Sequence, residues 1–239
     1  MAGVAMILFF SDSLRADQSL FELAVRKNDL AAISELANLV EDIDTRGTNG
    51  KTALMIAAKS GDEKLVHRLL QLGADPNAIN DNGGTAIMFA AIGGNIEIIR
   101  QLIKSNIDVN AKGSNGWSAL MVAAAKGHSD VIKLLVQARA NVNTQDVYLW
   151  TPLLRAAYEN RAEVVMTLLA QKEINLDHQD EHGATALHHA AARGNIEIVD
   201  ILLEHGADTR RKDTSGRTAS IYAAESGYRN LAVRLAQSS

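Results

Sequence analysis

Apolar and polar positions repeat along this chain in long, regular blocks. Each block opens with polar turn residues and a Ser or Thr, continues with a short apolar run that holds an Ala-Ala pair, and ends in a segment whose apolar residues form one helical stripe. The opening residue recurs every 33 positions, with a single step of 34, at Thr52, Thr85, Ser118, Thr151, Thr185 and Thr218. A fixed period of this length predicts stacked two-helix repeats, because a single repeat cannot cover its own apolar stripe.

Glycine and hydroxyl residues mark the predicted ends of the first helix in each repeat. Gly50 can adopt the positive φ of a tight turn, and Thr52 is a good N-cap for the helix that follows. Gly61 is typical of a left-handed C-cap at the end of that helix. The second helix of each repeat is predicted to bury a stripe of branched side chains, as Ile98 and Ile99 do in the repeat after that of Thr52. Each repeat is therefore predicted as helix, tight turn and helix.

The clearest copy of the repeat lies between Asp180 and Asp208. It contains Gly-Ala-Thr-Ala-Leu-His at 183–188, Ala-Ala at 190–191 and Gly-Ala-Asp at 206–208. This pattern resembles the ankyrin repeat, and six copies hold the same register over most of the chain. The resemblance implies an all-α ankyrin-repeat solenoid of stacked helix-turn-helix repeats joined by β-hairpin-like loops, about seven repeats in all, with degenerate repeats at both ends.

The repeat register sets the expected domain organisation. We expect an apolar N-terminal extension or cap at 1–16 and an ankyrin-repeat domain at 17–239. The repeats, numbered 1 to 7, fall near 17–46, 47–79, 80–112, 113–145, 146–179, 180–212 and 213–239. Residues 2–10 are apolar, but no Lys or Arg precedes them and residues 14–16 do not form a small-x-small cleavage site. The sequence therefore favours an ordered cap and a cytoplasmic location, with a signal peptide and secretion as the alternative.

Composition excludes several classes of protein. The chain has no cysteine, which removes disulfides, thiolate nucleophiles and cysteine-based metal sites. Its formal net charge of −4 argues against a general nucleic-acid binder. No stretch approaches the roughly 20 apolar residues of a membrane span. We therefore expect no cofactor, no nucleic-acid partner and no membrane span, and the resemblance implies a monomer that binds a protein partner.

Repeat 5 departs from the pattern in three places. Leu149 stands where the other repeats have the turn glycine, although a branched side chain disfavours positive φ. Asn160 replaces the glycine at the end of the first helix, and asparagine tolerates the left-handed conformation. One residue is inserted near Lys172 and Glu173, which lengthens the loop after the second helix.

The resemblance implies a partner-binding face made of the hairpin tips and the exposed side of the first helices. Trp117 and Trp150, the only tryptophans, occupy the same position of consecutive repeats on this face, and Lys51, Lys59 and Ser60 belong to it in repeat 2. Aromatic residues dominate interface energies, so we predict a hot spot in repeats 4 and 5. The expected partner-binding residues are Trp117, Val147, Tyr148, Leu149, Trp150, Tyr158, Lys126, Glu159, Asn115, Ile92, Asp81, Asn82, His182 and Arg193. The other interpretation is that the tryptophans stack on each other or fold back over the Ala-Ala helices.

An enzyme is the competing class of protein, and the histidines are the best candidates for its active site. Imidazoles and a carboxylate that fall within twelve residues could hold a metal ion, namely His178, Asp180, His182, His188 and His189. These residues lack a fixed ligand spacing, and the resemblance gives His188 a structural role. No nucleophile elbow, phosphate-binding loop or paired-carboxylate motif is present. We therefore predict a non-catalytic interaction module, with a secreted microbial effector or an assembly adaptor as alternatives that use the same face.

Overall fold

The computed structural model describes residues 2–238, and the side chains of residues 15–238. Within these residues the chain forms fourteen α-helices, one short 3-10 turn (Thr48–Gly50) and no β-strand. The helices are α1 (Ala2–Lys27), α2 (Leu30–Leu36), α3 (Ala53–Ser60), α4 (Glu63–Gln71), α5 (Ala86–Gly93), α6 (Ile96–Lys104), α7 (Ala119–Lys126), α8 (Ser129–Gln137), α9 (Pro152–Tyr158), α10 (Ala162–Leu169), α11 (Ala186–Arg193), α12 (Ile196–Glu204), α13 (Ala219–Glu225) and α14 (Arg229–Gln237). The helices form seven consecutive pairs, which confirms the predicted all-α repeat fold.

The chain divides into two compact units, Met1–Ser114 and Asn115–Ser239. In the N-terminal unit, α3 packs against α5, and each first helix packs against its own second helix. In the C-terminal unit, α9 packs between α7 and α11, and α11 packs against α13. Small side chains permit these close helix contacts, since Ala57, Ala90 and Ala157 are fully buried.

The helix ends follow the predicted capping pattern. The hydroxyl of Thr52 accepts a hydrogen bond from the Met55 amide, and Thr151 accepts one from the Leu154 amide in the same way. Gly61 ends α3 with a φ of 82°. Thr85 and Thr218 make no such bond, and the buried hydroxyl of Thr85 has no hydrogen-bond partner.

A single helix crosses the expected boundary between the N-terminal extension and repeat 1. α1 runs from Ala2 to Lys27, so the extension continues directly into the first helix of the repeat. Phe21 and Val25 of this helix are buried, whereas Leu20 and Leu23 are exposed. The predicted packing of residues 2–10 lies outside the described side chains. Among the described residues, no helix has the length and apolarity needed to cross a membrane.

Candidate partner-binding site

Six side chains of the C-terminal unit form a continuous group of rings and cationic groups, which we call the aromatic–cation cluster. Its members are Trp117, Trp150, Arg155, Tyr158, His189 and Arg193. The Arg155 guanidinium lies 4.7 Å from the Trp117 ring centroid and 4.3 Å from that of Trp150. Both indoles are half-buried. The two tryptophans are therefore joined through a cation, a contact that is attractive because each ring face carries partial negative charge.

The second half of the cluster extends from Trp150. The His189 ring lies 4.4 Å from the Trp150 ring, and Tyr158 meets Trp150 edge to face at 5.4 Å. The guanidinium of Arg193 lies 4.5 Å from the Tyr158 ring centroid, and Arg193 itself is exposed. Contacts of this kind restrict ring motion, so the cluster presents aromatic surface whose rotamers are already ordered.

A buried carboxylate holds Arg155 in place. Asp146 Oδ1 accepts the backbone N–H groups of Tyr148 and Trp150, both at 2.9 Å. Its Oδ2 accepts a hydrogen bond from Arg155 Nη2, also at 2.9 Å. The Asp146 side chain is completely buried, and a buried charge needs such a partner. Asp146 therefore couples the hairpin of repeat 5 to the cation between the tryptophans.

The same arrangement recurs in repeat 6. His189 Nε2 lies 2.8 Å from Asp180 Oδ2, and because a carboxylate can only accept, Nε2 carries the proton. Burial of Asp180 alone would raise its pKa. Hydrogen bonds from His189 and from the backbone N–H groups of Ala184 and His182 outweigh burial, so the pKa of Asp180 is lowered.

Repeat 7 uses a phenol in the equivalent position. Tyr222 donates its hydroxyl to Asp213 Oδ2 at 2.9 Å, and Arg217 binds the same carboxylate. Burial opposes ionisation of Asp213, but these bonds and the backbone N–H groups lower the pKa of its carboxyl. Burial and the neighbouring carboxylate raise the pKa of Tyr222 to about 12.

The hairpin tip of repeat 5 exposes three apolar side chains in a row. Val147 is 57% exposed, Tyr148 53% and Leu149 44%. Leu149 has a φ of 60°, which costs a residue with a Cβ roughly 1–2 kcal/mol. Its conformation is fixed from two sides, because its N–H donates to the Asp146 carbonyl and its own carbonyl lies 2.8 Å from His178 Nε2.

The remaining predicted residues are more scattered. Asn115 supports the cluster, because its side chain accepts from the Trp117 N–H and its carbonyl accepts from the Val147 N–H. Lys126 ends α7, Glu159 caps α9 and His182 is exposed on the hairpin of repeat 6. Three residues belong to the N-terminal unit, on the hairpin before α5 and near the end of that helix: Asp81, Asn82 and Ile92.

The histidines near Asp180 are engaged in separate contacts. His188 Nε2 donates to the Arg217 carbonyl, and its Nδ1 accepts from the Thr185 backbone N–H. Burial lowers the pKa of His188, which favours this neutral form. Across the side chains that the structure describes, no group of three or more His, Cys, Asp or Glu residues is placed to hold a metal ion.

Asp146 and Arg155 were not among the predicted partner-binding residues, and His189 was considered only as a possible metal ligand. A signal for them exists in the sequence. Repeats 5, 6 and 7 each begin with Asp, and nine residues later each has a side chain that can donate a hydrogen bond: Arg155, His189 and Tyr222. That spacing places the donor on the first helix opposite the carboxylate of its own hairpin.

Comparisons with known proteins agree with this architecture. The family model of ankyrin repeats matches residues 20–113, 54–146, 107–180 and 153–239. The chain therefore belongs to the ankyrin-repeat family, whose repeats are generally protein–protein interaction modules.

Solved structures and one curated relative support the same assignment. A chain in the complex of the Bd0816 predatory endopeptidase from Bdellovibrio bacteriovorus with immunity protein Bd3460 is 32% identical, with a TM-score of 0.71 over 78% of this chain and 98% of that one. The ankyrin repeat domain of Bcl-3, a member of the IkappaB family, is 26% identical, with a TM-score of 0.75 over 91% of this chain and 97% of that one. An ankyrin repeat protein of Neisseria meningitidis is 41% identical over 64 residues, which are 27% of this chain and only 25% of that protein.

Proposed function

We propose that this protein is a non-catalytic interaction module that binds a partner protein through the aromatic–cation cluster and the hairpin tip of repeat 5. The observation that carries the proposal is the exposed tip formed by Val147, Tyr148 and Leu149 directly beside Trp150. Contiguous apolar surface of this kind is uncommon on monomers unless it binds something.

Backbone strain at Leu149 supports the proposal. Glycine would relieve the positive φ at this turn, as it does at Gly116 and Gly183. A large apolar residue in a strained and exposed position lowers stability without filling a core. Strain of this kind concentrates at functional sites, and binding by the exposed side chain would account for it.

The ordered rings also favour a binding role. Trp and Tyr supply large contact areas, and side chains that are already fixed lose little conformational entropy when a partner binds. Arg155 fixes both tryptophans, and Arg193 offers an exposed cation next to Tyr158. The partner surface would then combine apolar groups with a hydrogen-bond acceptor for Arg193.

The second candidate function is inhibition of an enzyme. This candidate is favoured by the similar chain found in the complex of an endopeptidase with an immunity protein. The alignment with this protein covers almost all of that chain. Under this hypothesis the partner is an enzyme whose activity falls when the complex forms. An effector or assembly adaptor would use the same surface of this protein, but its partner would not be an enzyme.

The test is affinity capture from a lysate of the source organism, with bound proteins identified by mass spectrometry. The test variant replaces Trp117, Tyr148 and Trp150 with Ala. The control variant replaces Ile196 and Val233 with Ala, because these side chains are similarly exposed at 56% and 58% but lie on second helices. Circular dichroism verifies that both variants keep their helices.

We expect a partner that the native chain and the control retain and the triple variant loses. Each hot-spot residue should contribute about 2 kcal/mol, or roughly 30-fold in Kd, which titration calorimetry with the purified partner measures. Addition of the native chain to that partner, followed by an activity assay, separates inhibition from simple binding. Capture of the same proteins by the native chain and the triple variant would refute the proposed site.

A further inference from the structure

The N-terminal unit has a recess on the side of its first helices that the proposed function does not use. It encloses about 340 Å³. Its lining residues come from repeats 1 to 3 and are Asn28, Leu30, Lys51, Met55, Ile56, Lys59, Ser60 and Phe89. The floor is apolar, because Met55, Ile56 and Phe89 are buried members of α3 and α5.

Two lysines bring positive charge to this recess. Lys51 precedes α3 and its Nζ lies 6.0 Å from the centroid of the Phe89 ring, while Lys59 is exposed near the end of α3. Within residues 15–238, neither ammonium group takes part in a salt bridge. The recess therefore combines an apolar floor with two cations that form no salt bridge.

Glycine keeps the floor of the recess accessible. Repeat 3 has Gly84 at the position where repeat 5 has Trp150, and a Cβ at Gly84 would lie 3.6 Å from Phe89 Cε2. A larger side chain there would extend toward the Phe89 ring. Repeat 3 also has Gly93 where repeat 5 has Glu159, so the end of α5 brings no carboxylate to the recess, and Asp81 of the same repeat lies beside Gly50 without forming a salt bridge to Lys51.

We infer that this recess binds a peptide segment of a partner protein in which an acidic side chain stands next to a large apolar one. The apolar side chain packs on Met55, Ile56 and Phe89. The carboxylate lies between Lys51 and Lys59 and forms charge-assisted hydrogen bonds with them. The volume suits one such pair of side chains, since it is at the small end of the range for ligand pockets.

Complementary charge determines the class of ligand. A purely apolar segment would leave two ammonium groups beside the interface without a partner, and a basic segment would be repelled. The site lies in a different unit from the aromatic–cation cluster and is tested separately from it.

The first experiment is selection of a random octapeptide library displayed at the N-terminus of a phage coat protein, which presents side chains but no free carboxyl terminus. It is run on the native chain, on Lys51→Glu/Lys59→Glu and on the control Lys64→Glu/Lys104→Glu, which has the same net charge. Lys64 and Lys104 are exposed on α4 and α6 and do not line the recess. Lys59→Glu alone is a milder variant, and thermal melting verifies the fold of each protein.

We expect the native chain and the control to select peptides with an Asp or Glu next to a large apolar residue. The Lys51→Glu/Lys59→Glu variant should lose that preference. For the selected peptide, fluorescence anisotropy should show a Kd weaker by about tenfold or more in the double variant. The Trp117→Ala/Tyr148→Ala/Trp150→Ala variant should select the same peptides, which keeps this result independent of the proposed function.

Three outcomes would overturn the inference. The first is selection of no acidic–apolar pair by the native chain. The second is an unchanged preference in the folded Lys51→Glu/Lys59→Glu or Lys59→Glu variant. The third is binding of decanoate without selection of any peptide motif, which would make the recess a site for a small amphiphile.

Discussion

The two units build the same repeats but fill two equivalent positions with opposite chemistry. The positions are the first residue of the hairpin and the residue nine places later on the first helix. In repeats 2 and 3 of the N-terminal unit these pairs are Gly47 with Ile56 and Asn80 with Phe89. In repeats 5 to 7 of the C-terminal unit they are Asp146 with Arg155, Asp180 with His189 and Asp213 with Tyr222.

The difference explains why the two surfaces are unlike each other. In the C-terminal unit a buried Asp accepts a hydrogen bond from its partner, and in repeat 5 the rings of Trp117 and Trp150 pack on the Arg155 guanidinium that this Asp pairs with. In the N-terminal unit the partner position is apolar, and Ile56 and Phe89 lie in the lining of the recess together with Lys51 and Lys59. The pair at these two positions therefore differs between repeat 5, where Asp146 and Arg155 support the aromatic–cation cluster, and repeats 2 and 3, where Ile56 and Phe89 line the recess.

The largest effect is expected when the pair in repeat 5 is broken. Arg155→Phe copies Phe89 but leaves the Asp146 carboxylate buried without its cation. Removal of one member of a buried ion pair costs about 3 kcal/mol or more. Urea denaturation monitored by circular dichroism measures the loss in the free energy of unfolding.

The double variant Asp146→Asn/Arg155→Phe is the matched control, because it converts the pair of repeat 5 into the Asn80 and Phe89 pair of repeat 3. Asn can still accept the N–H groups of Tyr148 and Trp150, as Asn80 Oδ1 accepts those of Asn82 and Gly84. We expect the double variant to recover more than half of the lost stability. A double variant that is less stable than Arg155→Phe would show that the two kinds of pair are not interchangeable.

The sequence predicted the elements of the fold because their signals are local and repeated. The Thr52 cap, the Gly61 C-cap and the left-handed Asn160 each depend on residues within one repeat, and the structure confirms them. Leu149 was also recognised from its register as a residue in a glycine position.

The environment of the predicted site depended on contacts between repeats, which the period does not encode. Trp117 and Trp150 were found from their shared position, but the cation between them belongs to the helix of one repeat and reaches the hairpin of another. The N-terminal recess is open because Gly84 has no side chain to extend toward Phe89, and the absence of a side chain is not a sequence motif that would predict a recess. Both features follow from which residues are neighbours across the stack.

A smaller effect is expected from exchanging the turn residues of the two units. Leu149→Gly removes the cost of positive φ in repeat 5 and should raise the free energy of unfolding by about 1 kcal/mol. Gly83→Leu is the reciprocal change in the N-terminal unit, where φ is 71° and an added Cβ would lie 3.0 Å from the Ser114 nitrogen. It should lower stability by about 2 kcal/mol because strain and crowding combine.

Thermal and urea unfolding of both variants measure these shifts. Leu149→Gly should also weaken binding of the captured partner, since it removes an exposed apolar contact. Equal losses of stability for the two exchanges would mean that Leu149 packs in a way that offsets its strain, and the comparison between the hairpins would need revision.

The smallest effect concerns the dependence of stability on pH. His188 occupies the position held by Met55 in repeat 2, and burial lowers its pKa below the ordinary value of about 6.5. The unfolded chain therefore binds a proton at this residue before the folded chain does, and the stability of the folded state falls as pH decreases below about 6.5. Nearby His189 opposes protonation further and Asp213 favours it, but burial is the largest cause.

His188→Met should flatten the decline in unfolding free energy between about pH 7 and pH 5, as measured by urea denaturation at each pH. A slope that persists unchanged in His188→Met would show that His188 is not the source of the pH dependence.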